Sequence, residues 1–304
     1  MIKRIITNKN TLLILSVFGG IFLPHFADIL APFTFWFLAI VMTFSLSGLS
    51  FRSLFPLKTV IKPMLMGVFL NYLIFGVFLL LVASLFFDVK SELFIGFVII
   101  AATPPGVAII PFSVKLNGDL NYSIVGVFGA FLASIVLTPT IIELFVGEGG
   151  VDSMRLLKIM MLLIVLPFGL SRILRQKQFL KTVEKTRGHI IDIGFALIIY
   201  ASVGINNHVF FNDFSLLLKI NLVFFIVMFL GSYIFKFVLN NKMPKEKVIS
   251  TRLLFAIKSS GFAVVTAMEL FGEKVAIPAT VMSVLVLVYL LVLVFEGNLK
   301  RNAK

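Results

Sequence analysis

The chain has 304 residues, of which 60% are hydrophobic and only 13% charged, with a mean hydropathy of +1.09. Soluble domains carry roughly a quarter charged residues, so this composition excludes an ordinary soluble fold and reads as one membrane domain over residues 1–304, with the lipid bilayer as its solvent. The absence of cysteine excludes disulfide frameworks, thiolate metal sites and thiol redox chemistry, and the net charge of +13 is read as membrane topology, with no nucleic-acid partner.

Met1-Ile2-Lys3-Arg4 and the apolar stretch from Thr11 look like the start of a signal peptide. No small-residue cleavage site follows, so the stretch is expected to stay as a first helix. Crossing the hydrocarbon takes about 20 helical residues. Candidate spans in the first half are Thr11–Pro24, Pro32–Leu49, Pro63–Phe87, Leu93–Val114 and Tyr122–Val146. The second half gives Leu156–Leu170, Ile190–Asn206, Phe214–Leu239, Leu253–Phe271 and Ala276–Phe295.

Ten such spans sort the loop cations by side. Arg52, Lys58, Lys62, the cluster Arg172 to Arg187, Lys242 to Lys247, Lys300, Arg301 and Lys304 share a side with the N-terminus, and Lys90, Arg155, Lys158 and Lys274 face the other. The positive-inside rule then makes both termini cytoplasmic, in a plasma or inner cell membrane. Each half, about 11–146 and about 156–296, opens with a short span and carries a polar interruption in its fourth. A repeat with an odd number of spans inserts in opposite orientations, so the expected fold is all-α and polytopic, ten transmembrane helices as two inverted five-helix repeats.

In the fourth span, Thr103-Pro104-Pro105-Gly106 removes two N–H donors and adds a glycine, which favours a broken helix lining a cavity; alone, it reads equally as a proline kink. In the ninth, Lys258-Ser259-Ser260-Gly261 occupies the corresponding place. Matched interruptions are the best sequence pointer to a carrier's binding site. An ionisable residue within a span costs on the order of 2.5–3.5 kcal/mol and points to function. The alternatives for Lys258 are a stem that snorkels to the interface or a cation on helix C-terminal dipoles. Lys219, with no motif around it, reads as snorkelling. Half-helix N-termini beside Lys258 favour a small organic anion as substrate. Ser113, Asn206 and Asn207 join Thr103 and Ser259 as polar candidates near the cavity, the Asn pair reading also as a solvated helix end.

His25, His189 and His208 fall near span ends without metal-ligand spacing, and no nucleophile motif or paired intramembrane carboxylates occur. No enzyme, metal or cofactor is expected. A channel-like or sensory membrane protein of the same fold stays open as the alternative to a carrier.

Pro104-Pro105-Gly106, Gly118-Asp119 before Ser123, Thr138-Pro139 and Ser260-Gly261-Phe262-Ala263 together resemble the bile acid:sodium symporter family. The resemblance implies crossed discontinuous helices in the fourth and ninth spans and transport of small organic anions. It carries the family's sodium ligands over poorly. Ile109 and Ile110 stand where the family has Ser-Asn, Leu254 where it has Glu, and Lys258 where it has Gln. Val127, Ala130 and Phe131 replace fifth-span hydroxyls, and Asn71 alone keeps an amide, in place of Gln. The chain is therefore expected to work without sodium, Lys258 serving as a built-in cation or as the group that couples a proton.

Overall fold

The structure, a computed structural model, describes residues 9–48, 57–106, 108–147, 154, 158–159 and 161–302. Met1 to Arg4, Arg52, Arg155, Leu156 and Lys304, used above to place the first helix, the sixth span and the charge bias, lie outside them. The described residues are 88% helical and contain no strand. Among the described residues six helical runs are long and apolar enough to cross a membrane, and four shorter apolar helices accompany them, so the chain is a multi-pass membrane protein.

In chain order, α1 is Lys9–Phe22, α2 the run Pro24–Leu46 and α3 the run 57–84. α3 is π-helical over Phe69–Gly76. α4 (Glu92–Ala102) and α5 (Ile109–Lys115) are the pieces of the fourth expected span, and α6 is Leu120–Val146. α7 (Met161–Leu174) and α8 (Lys177–Ile205) follow. A short α9 (Asn207–Asn212) leads into α10 (Phe214–Leu239), π-helical over Phe225–Leu230. α11 (Lys245–Ala256) and α12 (Ser260–Phe271) are the pieces of the ninth, and α13 is Glu273–Asn302.

Several helices begin earlier than the apolar runs indicate, and at two of them the difference bears on the charges. α8 starts at Lys177, not Ile190, because Lys, Gln and Arg are strong helix formers and their stems extend an amphipathic helix beyond the hydrocarbon. Much of the cation cluster expected in a loop is thus helical. α11 starts at Lys245, not Leu253, so Lys258 follows a complete 12-residue helix.

α1, α2, α7 and α8 pack chiefly on one another, with Leu13, Val17, Ala196, Ile199 and Val203 forming a core between α1 and α8. Arg172 and Arg175 donate to the carbonyls of Leu46 (2.7 Å) and Ser47 (2.8 Å), satisfying the C-terminus of α2. The other helices share one continuous apolar core. α3 and α6 approach so closely there that a Cβ on Gly67 would stand 2.2 Å from the carbonyl oxygen of Gly126. Large apolar side chains such as Phe237 and Leu144 are left on the outside, as a lipid-facing surface requires.

Candidate functional site

α4 stops because Thr103 adopts an extended conformation (φ −73°, ψ 152°), as a residue before proline must, and the prolines supply no N–H to continue it. α11 stops at Ile257, also extended (φ −101°, ψ 104°). The two extended pieces lie antiparallel, with Pro105 opposite Lys258. Ser259 N donates to Pro104 O (2.9 Å) and Gly106 N to Ile257 O (3.0 Å). Each break thus satisfies backbone groups of the other, which is what permits two helix breaks in an apolar core. Glycine at 106 permits this approach: a Cβ there would meet Ile257 Cγ2 at 2.9 Å and Lys258 O at 3.0 Å.

Lys258 is 1% exposed. Its ammonium donates to Asn71 Oδ1 (2.8 Å), Ala101 O (3.0 Å) and Asn71 O (3.3 Å). It lies 4.7 Å from the ring centre of Tyr72 and 5.7 Å from that of Phe75, positions from which the aromatic faces attract a cation. The stem runs into the core, so the snorkelling alternative fails. The oxygens it meets are the negative end of α4 and the π-helical stretch of α3. The last carbonyls of α4 are all engaged: Ile100 O by Thr103 Oγ1 (2.9 Å), Ala101 O by Lys258, and Ala102 O by Thr138 Oγ1 (2.6 Å). A cation at a helix C-terminus is stabilised by the dipole, by up to about 2 kcal/mol where partly buried.

Of the residues expected at the site, Asn71, Thr103, Pro104, Pro105, Gly106, Lys258 and Ser259 meet at this crossing. Ser260 and Gly261 open α12 beside it. Gly106, Ser259, Ser260 and Ser283 line a small cavity of about 70 Å³ whose apolar wall comes from α1, α8 and α13. The Ser259 side chain is 4% exposed and has no hydrogen-bond partner among the described residues. A wider cleft of about 450 Å³ shares Ala108 and Phe195 with that cavity.

Other candidates lie elsewhere. Ser113 bonds Ser123 (2.9 Å) and Ser250 (3.2 Å) in a buried hydroxyl cluster. Asn206 is buried and donates to Ser202 O (3.0 Å) at the end of α8, not solvated. The residues that stand where the resemblance would place sodium ligands are buried hydrocarbon: Ile109, Val127, Phe131 and Leu254 belong to the main apolar core. No cluster of three or more His, Asp or Glu fit to hold a metal occurs among the described residues.

The profile of the Sodium Bile acid symporter family matches residues 35–213, more than half of the chain. The chain belongs to this family. Its members are transporters, and the chain is a membrane transporter of the bile acid symporter type. No curated protein matches it. The family match contains Asn71 and the α4–α5 break but ends before Lys258, so the most unusual member of this chain's crossing lies beyond the matched stretch.

Sequence reasoning missed Tyr72, Phe75 and Ala101 as surroundings of the ammonium, and Thr138 as the group that caps Ala102 O. Tyr72 and Phe75 flank Asn71 on one helix and carried a readable signal. The part played by Ala101 is a backbone carbonyl, which no side chain announces.

Proposed function

We propose that the chain is a secondary transporter of a small organic anion, working by alternating access, in which the Lys258 ammonium is the resident cation of the crossed breaks and replaces coupled sodium. The observation that carries the reading is the donation of Lys258 Nζ to Asn71 Oδ1, Asn71 O and Ala101 O at the crossing. A sodium ion needs several hard oxygen ligands; at the other family positions Ile109, Val127, Phe131 and Leu254 offer none. Since the ammonium is tied to oxygens, the anion is assigned to the cavity at the N-terminus of α12, where Ser259 and Ser260 face it and the helix dipole favours negative charge.

The architecture behind this reading is one domain of ten spans in two inverted repeats. α1 and α7 are the short openers, α3 and α10 each carry a π-helical stretch, and α4–α5 and α11–α12 are the broken fourth and ninth spans. Both termini are placed on the cytoplasmic side of a plasma or inner membrane, as the loop cations favour. Loss of a proton by Lys258 would leave the C-terminus of α4 without its cation, which links protonation to the stability of the crossing and makes H⁺ the coupling ion of choice.

Uptake of a panel of small organic anions into proteoliposomes tests the proposal. Replacing sodium by choline is expected to leave uptake unchanged, an imposed pH gradient to drive it, and Lys258→Ala to abolish accumulation. An obligatory sodium requirement, or full activity in Lys258→Ala, would refute it.

A further inference from the structure

A groove of about 1050 Å³ runs along α3 from Lys62 past Tyr72 and Gly76 to Leu80, with Ile141 and Phe145 of α6 as its far wall. Ile61, Leu65, Phe69, Leu73 and Val77 recur every four residues along it and are all exposed, so this face of α3 looks outward to lipid. The floor is low because two small residues meet there: a Cβ on Gly76 would stand 3.6 Å from both Ala101 Cβ and Ala101 O. That floor is also the back of the crossing. The Tyr72 ring lies 4.7 Å from the Lys258 ammonium, and Ala101 O accepts from it. The groove follows the π-helical stretch Phe69–Gly76, a form of helix that often marks functional sites.

Lys62 is the one charged side chain among the residues that line the groove, and no carboxylate lines it. It is exposed, in the first turn of the apolar run Thr59–Ser84, and has no hydrogen bond or ion pair among the described residues. A lysine so placed keeps its ammonium at the membrane surface while its stem lies along hydrocarbon. Lys62 to Tyr72 is about 15 Å of helix, half of the roughly 30 Å hydrocarbon core. An acyl chain hung from a headgroup at Lys62 therefore reaches Tyr72 and Gly76.

We propose that this groove binds an acidic phospholipid, its phosphate at Lys62 and an acyl chain along Tyr72, Gly76 and Ala101. The occupant is a lipid because the walls are hydrocarbon and the groove opens sideways on a lipid-facing surface. It is acidic because the charge at the mouth is positive and unpaired, and acidic headgroups are drawn to such cations. The bound chain shields Ala101 O and the Tyr72 ring from water, so the lipid braces the crossing from outside. This holds whatever the protein transports and whichever side faces the cytoplasm.

The test is thermal stabilisation of the full-length protein in a neutral detergent, since a ligand of the folded state raises stability as the logarithm of its concentration over Kd. The probes are dioleoyl phosphatidylglycerol, dioleoyl phosphatidylcholine, and dibutanoyl phosphatidylglycerol, which has the acidic headgroup but chains too short to fill the groove. Wild type is expected to respond most strongly to dioleoyl phosphatidylglycerol. Lys62→Gln is expected to weaken that response at least about fivefold, the order that one lysine contributes at an acidic membrane surface, and to leave phosphatidylcholine unchanged. Lys62→Arg should keep it, and so should Lys181→Gln, which removes an exposed lysine of α8 outside the groove. Amide exchange over Phe69–Gly76 should slow with dioleoyl phosphatidylglycerol in wild type and not in Lys62→Gln. Equal responses to the two dioleoyl lipids, or equal responses of wild type and Lys62→Gln, overturn the site. So does a loss in Lys181→Gln as large as in Lys62→Gln, which would mean diffuse attraction, or a dibutanoyl response matching the dioleoyl one, which would mean a headgroup alone. A dimer that Leu73→Arg dissolves, with no response to lipid, would assign the groove to a second copy of the chain instead.

Discussion

Lys258 Nζ lies 2.8 Å from Asn71 Oδ1, joining residues 187 apart in the chain. The bond links the break between α11 and α12 to the π-helical stretch of α3, and the same ammonium reaches Ala101 O at the end of α4. One side chain therefore ties three elements that would otherwise present unpaired oxygens to an apolar core. A buried charge is tolerable only with such company, and the acceptors are as costly without the lysine as the lysine is without them.

That reciprocity predicts a double-mutant cycle. Asn71→Leu strands the ammonium and Lys258→Met strands the acceptors, each at a cost of about 1–3 kcal/mol. The double variant should cost less than the sum, with a coupling of about 1–3 kcal/mol. Thermal or denaturant unfolding in detergent checks it; strict additivity would show that the bond contributes nothing.

The crossing depends on close backbone approach as much as on charge. Gly106→Ala inserts a methyl against Ile257 Cγ2 and Lys258 O, and overpacking of this kind costs about 1–3 kcal/mol. The bond from Gly106 N to Ile257 O (3.0 Å) should lengthen or break, so faster amide exchange at residue 106 is expected, against unchanged exchange in α6.

The breaks and the lysine were legible in the sequence because prolines, glycines and a charge within an apolar run each violate a local rule. That the two extended segments would pair antiparallel was not legible from residue types, since the pairing is backbone to backbone. Lys258 itself was ambiguous: five residues into an apolar run it is within reach of an interface, and only the extension of α11 back to Lys245 moves it inward. Arg187 was counted among loop charges for a similar reason. Its helix is polar at that end, and hydropathy alone cannot tell a helical extension from a loop.

At the ends of α10, α11 and α13, Glu296 accepts from both Lys236 and Arg252, and Arg252 Nε donates to Ser232, which bonds the Tyr289 hydroxyl at 2.6 Å. Glu296→Gln would leave two cations facing each other with no counter-charge. Loss of a fully buried partner costs about 3–5 kcal/mol, but the Glu296 side chain is 29% exposed, so a loss of about 1–2 kcal/mol is expected after screening. Unfolding measured at low and high salt should show the difference shrinking as salt rises.

The last prediction concerns sodium itself. Leu254 is fully buried and packs on Gly126, where a Cβ would stand 2.7 Å from Leu254 Cδ1, so Leu254→Glu alone places a carboxylate in hydrocarbon and should only destabilise. Lys258→Gln alone removes the resident cation without supplying ligands. If the ammonium occupies the place of an ion, sodium binding should return only when the oxygens are restored and the lysine is removed together, as in Ile109→Ser, Ile110→Asn, Leu254→Glu and Lys258→Gln combined. The observable is sodium-dependent stabilisation against a choline control, worth about 2.7 kcal/mol when sodium is at a hundred times its Kd. The same set with Lys258 retained should give none, because the ammonium competes for Asn71 Oδ1 and Ala101 O. Equal sodium stabilisation with and without Lys258 would show that the lysine does not stand in for the ion.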